Sequence, residues 1–234
     1  MSQEIKKTVV PVLIVGESGT GKSTGIQTLP PERTVILNTE EKTLPFAHEN
    51  NFKVINISSY KKLDAVLTQL DSEKGQVFDY IVLDSLTSAT EIVDRYSTAM
   101  FSGFEQWKQY SLLIQDVVLR LKRMKQQIFV TAIPETRDES FSEKKKYTKI
   151  KGKELKYGFV EAQFSIVLYT LPQYSEDDGE MEGIDMQFKP NKNNTAKAPV
   201  GLFDKKPSND YLAIANRIEK FYQGRADAEV KEEK

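Results

Sequence analysis

The sequence predicts an α/β fold with a mostly parallel central sheet and helices on both sides. Short β-rich runs recur along the chain, and the first five are almost unbroken apolar runs, which is typical of strands covered on both faces. Helical segments lie between several of these runs, and this alternation favours parallel pairing. The runs are VLIV (12–15), TVILN (34–38), KVINI (53–57), DYIVLD (79–84), IFVTAI (128–133), FSIVLYT (164–170) and IDMQFK (184–189).

Three segments have the apolar spacing of helices that pack against such a sheet. Residues 60–73 and 106–125 repeat apolar side chains at steps of three and four, and we interpret both stripes as core packing. A last helix is expected near 209–222, where Gly224 can end it. The final ten residues, RADAEVKEEK (225–234), are predicted to form a disordered charged tail.

The two last β-runs differ from the others, because only the turn-rich stretch SEDDGEMEG separates them. This short connection predicts an antiparallel hairpin added at one edge of the sheet. The chain contains no internal repeat and no linker that would divide it. We therefore predict one domain over residues 1–224.

Composition excludes several classes of site. Lys plus Arg (33) nearly balance Asp plus Glu (34), so any contact with nucleic acid must come from a local patch. The chain has no cysteine and one histidine, His48, which we interpret as a surface residue; thiolate metal sites and a Ser-His-Asp triad are excluded. An apolar run of membrane-spanning length and a signal-peptide core are both missing, which predicts a cytoplasmic protein without a membrane partner, in the host cytoplasm if it is viral.

The stretch GESGTGKS (16–23) fits the pattern G-x-x-x-x-G-K-[ST], with a predicted strand before it and a predicted helix after it. Glycines let the backbone curl so that several N–H groups face one phosphate, and the helix start adds its positive end. Lys22 can reach the β- and γ-phosphates, and the Ser23 hydroxyl can bind Mg²⁺. The predicted ATP-binding residues are Gly16, Glu17, Ser18, Gly19, Thr20, Gly21, Lys22, Ser23 and Thr24.

Two acidic positions at strand ends complete the predicted site. Asp84 ends an apolar strand, where it can hold Mg²⁺ directly or through water. Glu40 and Glu41 follow another strand, and a carboxylate there can orient the attacking water. Periodicity does not choose between these two glutamates.

Several segments together resemble the RecA recombinase core: LNTEEKTLPFA (37–47), Asp84-Ser85, KELKYGFVEAQFSIVLY (153–169) and MQFKPNKNNTAKAPVG (186–201). The resemblance implies that Glu40 is the catalytic glutamate. It also implies that Lys189 and Lys192 act across a subunit interface on the ATP of a neighbouring protomer. The size is similar to that of the short RecA-like ATPases of bacteriophages, which are linked to single-strand annealing and recombination.

The sequence also departs from RecA. The glutamine that senses the γ-phosphate after the strand matching IFVTAI is missing, so either Thr131 or Glu135 takes that role or the switch is different. Lys189 and Lys192 are three apart with Pro190 between them, whereas the RecA pair is closer. Few residues precede the first strand, so RecA's amino-terminal packing helix has no counterpart. We expect a homo-oligomer, either a filament or a ring.

Residues 134–158 form a long segment without a strong apolar period, in the position of RecA's second DNA-binding loop. Basic groups can neutralise phosphates and aromatic rings can stack on unpaired bases. A solvated, flexible loop is the alternative interpretation. A second candidate DNA segment is residues 96–107. The predicted DNA-binding residues are Arg137, Lys144, Lys145, Lys146, Tyr147, Lys149, Lys151 and Lys153.

These features predict an Mg²⁺-dependent ATPase that binds single-stranded DNA and assists recombination, annealing or repair. A single-strand-binding or annealing protein is a possible partner. The main alternative is a nucleotide-dependent regulatory or assembly protein that binds no DNA. A helicase-like motor is a further alternative.

Overall fold

The computed structural model describes residues 9–46, 51–139, 143–151 and 159–232, with side chains described as far as residue 224. His48 and Lys153, both singled out above, lie outside these ranges. Among the described helices, none combines the length and the apolar character needed to cross a bilayer.

A seven-stranded sheet forms the centre of the molecule. Its strands, in chain order, are β1 (Val12–Val15), β2 (Thr34–Asn38), β3 (Lys53–Asn56), β4 (Tyr80–Asp84), β5 (Gln127–Ala132), β8 (Ile166–Tyr174) and β9 (Met181–Gln187). Across the sheet the order is β3-β2-β4-β5-β1-β8-β9. The first six strands are parallel and β9 runs antiparallel to β8. The predicted fold class, including the antiparallel edge hairpin, is confirmed.

The register brings the carboxyl ends of the central strands to one level. Val15, the last residue of β1, lies opposite Ala132 of β5 and Tyr169 of β8. Asn38, the last residue of β2, lies opposite Asp84 of β4. Ligands of open α/β sheets bind at this edge, so the predicted site residues start from neighbouring positions.

Among the described residues, five α-helices accompany the sheet: α1 (Tyr60–Asp71), α2 (Leu86–Met100), α3 (Gly103–Arg123), α4 (Phe159–Gln163) and α5 (Tyr211–Glu232). Alternate residues of each strand pack into different cores, as the pleat requires. Leu13 and Val15 join a cluster with α1, α2 and α3. Val12 and Ile14 join the opposite cluster, which contains the first turns of α5. Both faces of the sheet are therefore covered, in agreement with its apolar strands.

The described parts of the segment 134–158 are more ordered than the sequence predicts. Residues Pro134–Asp138 form β6 and Lys144–Thr148 form β7, and the two strands pair as a separate antiparallel hairpin. The register sets Asp138 opposite Lys144, an opposite-charge pair that stabilises the hairpin, and Arg137 opposite Lys145, a like-charge pair that opposes it. The expectation of a long structureless loop is wrong for this part, because the strands carry charge rather than an apolar period.

Two further elements differ from their predicted bounds. Residues 96–107 are mostly helical, because α2 runs to Met100 and α3 begins at Gly103. Helix α5 passes Gly224 and continues to Glu232 instead of ending before a disordered tail. The tail is rich in Ala, Glu and Lys, which favour helix enough to outweigh a single glycine.

Candidate nucleotide site

The phosphate loop begins where β1 ends, and it is packed tightly there. The N–H of Gly16 donates to the carbonyl of Ala132 over 3.1 Å. A Cβ on Gly16 would lie 1.9 Å from Oγ1 of Thr170 and 2.6 Å from Oγ1 of Thr20. These two hydroxyls are 2.7 Å apart and hydrogen-bonded. Glycine is therefore required at position 16, and Thr170 on β8 supports the loop from the side.

The curl of the loop depends on backbone conformations that favour glycine. Gly19 and Gly21 have φ angles of 78° and 83°, in the left-handed region. A Cβ on Gly21 would also lie 2.0 Å from Cδ1 of Ile184 on β9. The helix that follows is shorter than predicted: it is a 3₁₀ helix of six residues, Ser23–Thr28. Its contribution to phosphate binding is correspondingly small, and the loop amides and side chains carry the site.

Lys22 is almost fully buried, with 8% of its surface exposed. Its Nζ donates to the backbone carbonyl of Glu17 over 2.8 Å, so the ammonium lies within the loop itself. Burial lowers the pKa of Lys22, while the nearby carboxylates of Asp84 and Glu40 oppose this shift. The ammonium is thus held where the loop would enclose phosphate, near the predicted metal ligand Asp84 and the predicted catalytic residue Glu40.

Asp84 is also buried, with 6% of its surface exposed. Oγ1 of Thr131, on the adjacent strand β5, donates to its Oδ1. Burial raises the pKa of Asp84, and hydrogen bonds from the Thr131 and Ser23 side chains partly offset that rise. The Ser23 hydroxyl and the Asp84 carboxylate therefore meet. Oxygen ligands of this kind suit Mg²⁺, which is usually held by one or two protein groups together with substrate phosphates.

Glu40 lies beside this pair, held by the residue that follows β4. Oγ of Ser85 donates to Oε1 of Glu40 over 3.0 Å, and Nζ of Lys42 lies 3.2 Å from Oε2. Thr39 ties the two strand ends together: its Oγ1 donates to the Ser85 carbonyl over 2.6 Å and accepts from the Ser85 N–H over 2.8 Å. Glu41 is exposed, with a φ of 54°, and only its backbone N–H contacts the strand end, at Asn38.

Two residues that the sequence analysis did not single out support the loop from the carboxyl-terminal part of the chain. Nδ2 of Asn209 donates to the carbonyl of Gly21 over 2.6 Å. The phenol of Tyr211, at the start of α5, donates to the carbonyl of Lys22 over 2.5 Å. The Tyr211 ring stacks on Phe129 at 4.6 Å between centroids. Nothing local in the sequence signals this contact, since about 190 residues separate the partners.

Some of the predicted DNA-binding residues pair with nearby glutamates, and others have exposed side chains. Arg137 pairs with Glu135, Lys146 with Glu17, and the phenol of Tyr147 with Glu139. The last hydrogen bond raises the pKa of Tyr147 to about 12. The ammonium of Lys145 lies 5.8 Å from the centroid of the Tyr147 ring. The side chains of Lys144, Lys149 and Lys151 are exposed.

Lys189 and Lys192 lie after the end of β9, and both are exposed. The ammonium of Lys189 lies 5.4 Å from the centroid of the Phe188 ring. The last residue of β9, Gln187, lies opposite Tyr169, and the chain then continues away from the carboxyl edge of the sheet. A role for these lysines on the nucleotide of a neighbouring protomer stays a prediction.

Comparison with known proteins identifies the family of this chain. Residues 9–200 match the family model described as an AAA domain. A search among curated proteins returned no match. The matched segment contains the phosphate loop, Asp84 and Glu40. The chain belongs to the AAA domain family, and its domain is of the P-loop ATPase type.

Proposed function

We propose that this protein hydrolyses ATP in the presence of Mg²⁺ and binds single-stranded DNA, in support of recombination, annealing or repair. One observation carries the catalytic part. The ammonium of Lys22, the hydroxyl of Ser23 and the carboxylates of Asp84 and Glu40 meet at the carboxyl edge of the sheet, although they come from three separate parts of the chain. This combination suits phosphoryl transfer, which needs positioning and charge stabilisation.

Each of these groups has a defined task in the proposed reaction. The loop amides between Gly16 and Ser23 bind phosphate oxygens, and Lys22 neutralises their charge. Ser23 and Asp84 would hold Mg²⁺, which would offset the negative charge of the phosphate oxygens. Glu40 orients and deprotonates the attacking water, and Ser85 holds its carboxylate in place. Lys189 and Lys192 of an adjacent protomer would stabilise the charge that develops.

The DNA-binding part of the proposal rests on the exposed lysines near the hairpin. The side chains of Lys149 and Lys151 extend from an anchored backbone, because Thr87 and Thr90 of α2 bond to the chain at these positions. Oγ1 of Thr87 donates to the Lys149 carbonyl over 3.1 Å, and the Lys151 N–H donates to Oγ1 of Thr90 over 3.0 Å. Exposed lysines on fixed backbone can neutralise DNA phosphates without ordering a loop first.

The test is the rate of ATP hydrolysis with and without single-stranded DNA, at two salt concentrations. The proposal expects stimulation by DNA that weakens as salt rises, because phosphate contacts release counterions. Hydrolysis without stimulation would overturn the DNA part and leave the ATPase part intact. If nucleotide drives assembly and DNA has no effect at either salt concentration, the protein is an assembly regulator instead.

A further inference from the structure

We propose that Lys146 is a second cation of the nucleotide site. When a nucleoside triphosphate is bound, the ammonium of Lys146 gives up its ion pair with Glu17 and binds the terminal phosphate instead. The inference rests on the proposed nucleotide-binding function. It names the residue that gives the site a higher affinity for a nucleoside triphosphate than for a diphosphate. Lys146 belongs to β7, in the hairpin, and Glu17 belongs to the phosphate loop. The Nζ of Lys146 lies 2.9 Å from Oε1 of Glu17.

The backbone of Lys146 is fixed on both sides, so its ammonium reaches the loop from a defined position. Its N–H donates to the carbonyl of Asn193 over 2.8 Å. Its carbonyl accepts from the phenol of Tyr169 over 3.1 Å. Tyr169 lies opposite Val15, the last strand residue before the phosphate loop. The central sheet thus sets the distance between Lys146 and the loop.

Glu17 occupies the part of the loop where the groups expected to bind phosphate come together. Its backbone carbonyl accepts from Nζ of Lys22 and from Oγ1 of Thr20, both over 2.8 Å. Its side chain is half exposed, as is that of Lys146, and ion pairs in such positions are weak. The pair can therefore be exchanged at little cost for a stronger contact with phosphate.

Charge decides the direction of this exchange. A triphosphate brought into the loop repels the Glu17 carboxylate and attracts the Lys146 ammonium. A diphosphate carries less charge and lacks the terminal group, so it favours the exchange less. The partner of the Lys146 side chain would then depend on whether the terminal phosphate is present, while the backbone of β7 keeps its position.

The experiment compares Lys146→Met with the unmodified protein. Calorimetry measures the affinities for the magnesium complexes of ADP and of a non-hydrolysable ATP analogue. We expect the affinity for the analogue to fall about tenfold, the effect of one charge-assisted hydrogen bond, and the affinity for ADP to stay within about twofold. Lys108→Met is the matched control: it removes the same charge and also breaks a pair with a glutamate, Glu105, at 3.8 Å on α3. It should leave both affinities unchanged.

The complementary variant is Glu17→Gln, which frees Lys146 and removes the repulsion. It should raise the affinity for the analogue more than that for ADP, and adding Lys146→Met should cancel the difference. If Lys146→Met does not fold, this variant decides the matter alone, since equal gains for both nucleotides would overturn the proposal. The proposal would also be overturned if Lys146→Met and the unmodified protein bound the ATP analogue with equal affinity. If the unmodified protein binds neither nucleotide, the proposed function itself is overturned.

Discussion

The hydroxyl of Ser85 donates a hydrogen bond to the carboxylate of Glu40 over 3.0 Å, and it thereby joins the residues that follow two neighbouring strands. Asp84, which precedes Ser85, is the buried carboxylate of the site. The end of β4 therefore supplies one carboxylate and positions another. Of the two adjacent glutamates, Glu40 lies beside Asp84 and Ser85, whereas Glu41 is exposed.

Replacing Glu40 by Gln should slow hydrolysis and preserve nucleotide binding. The amide keeps the shape of the side chain and the bond from Ser85, but it cannot take a proton from water. General-base catalysis typically contributes about 10²–10⁴-fold, so we expect kcat to fall at least about 100-fold. The ATPase rate and the affinity measured by calorimetry check this. Glu41→Gln is the control, and a loss of rate in the control alone would assign the role to Glu41.

Ser85→Ala should lower kcat with little effect on KM, because Glu40 loses the donor that positions it. We expect a smaller effect than for Glu40→Gln, about tenfold. Ser85 also caps α2 by accepting from the N–H of Ser88, and loss of a cap costs about 1 kcal/mol of stability. Ser59→Ala removes the corresponding cap of α1 and should cost similar stability at full activity. Equal rates in the two variants would rule out a positioning role for Ser85.

Lys22→Met should abolish binding of the magnesium–ATP complex while the fold persists. Burial lowers the pKa of Lys22, which means that the folded protein bears a cost for its charge. Removing that charge should not lower the thermal midpoint. Calorimetry measures the loss of binding, and a melting curve of the same sample measures the thermal midpoint. Normal binding in this variant would contradict the assignment of the phosphate loop.

Asp84→Asn should abolish the Mg²⁺ dependence of nucleotide binding and raise thermal stability near neutral pH. Burial raises the pKa of Asp84, so its ionised form destabilises the folded state. Each kcal/mol gained raises the midpoint by about 2–4 °C for a domain of this size. The advantage of the variant should be complete above the folded-state pKa. It should shrink as the pH falls toward the unfolded-state pKa, where both states are protonated.

Replacing Lys144, Lys149 and Lys151 together by Gln should weaken binding to single-stranded DNA without affecting nucleotide affinity. Each lysine that neutralises one phosphate contributes about 0.7 to the slope of log affinity against log salt for a single strand. A salt titration followed by fluorescence anisotropy measures this slope. We expect it to flatten by up to about 2. An unchanged slope would remove these lysines from the DNA interface.

The mostly parallel sheet, its antiparallel edge hairpin and the phosphate loop could be predicted because their signals are local. Apolar runs and the spacing from Gly16 to Ser23 are visible in a few residues. The β6–β7 hairpin could not be predicted, because no apolar pattern marks it. It is stabilised by contacts with other elements: the Thr148 N–H donates to Glu161 of α4, and the Lys149 N–H donates to the carbonyl of Ile133, just after β5. Periodicity leaves the choice between Glu40 and Glu41 open and the resemblance to RecA favours Glu40; the structure adds the contact of Glu40 with Ser85, which depends on the pairing of β2 with β4.

The family match ends at residue 200, yet Asn209 and Tyr211 bond to the carbonyls of Gly21 and Lys22. A recombinant fragment trimmed to the matched segment would leave these carbonyls without their partners and would expose Phe129, on which Tyr211 stacks. Such a truncation would damage the very loop it was intended to isolate. Expression boundaries for this protein should therefore include the first turns of α5.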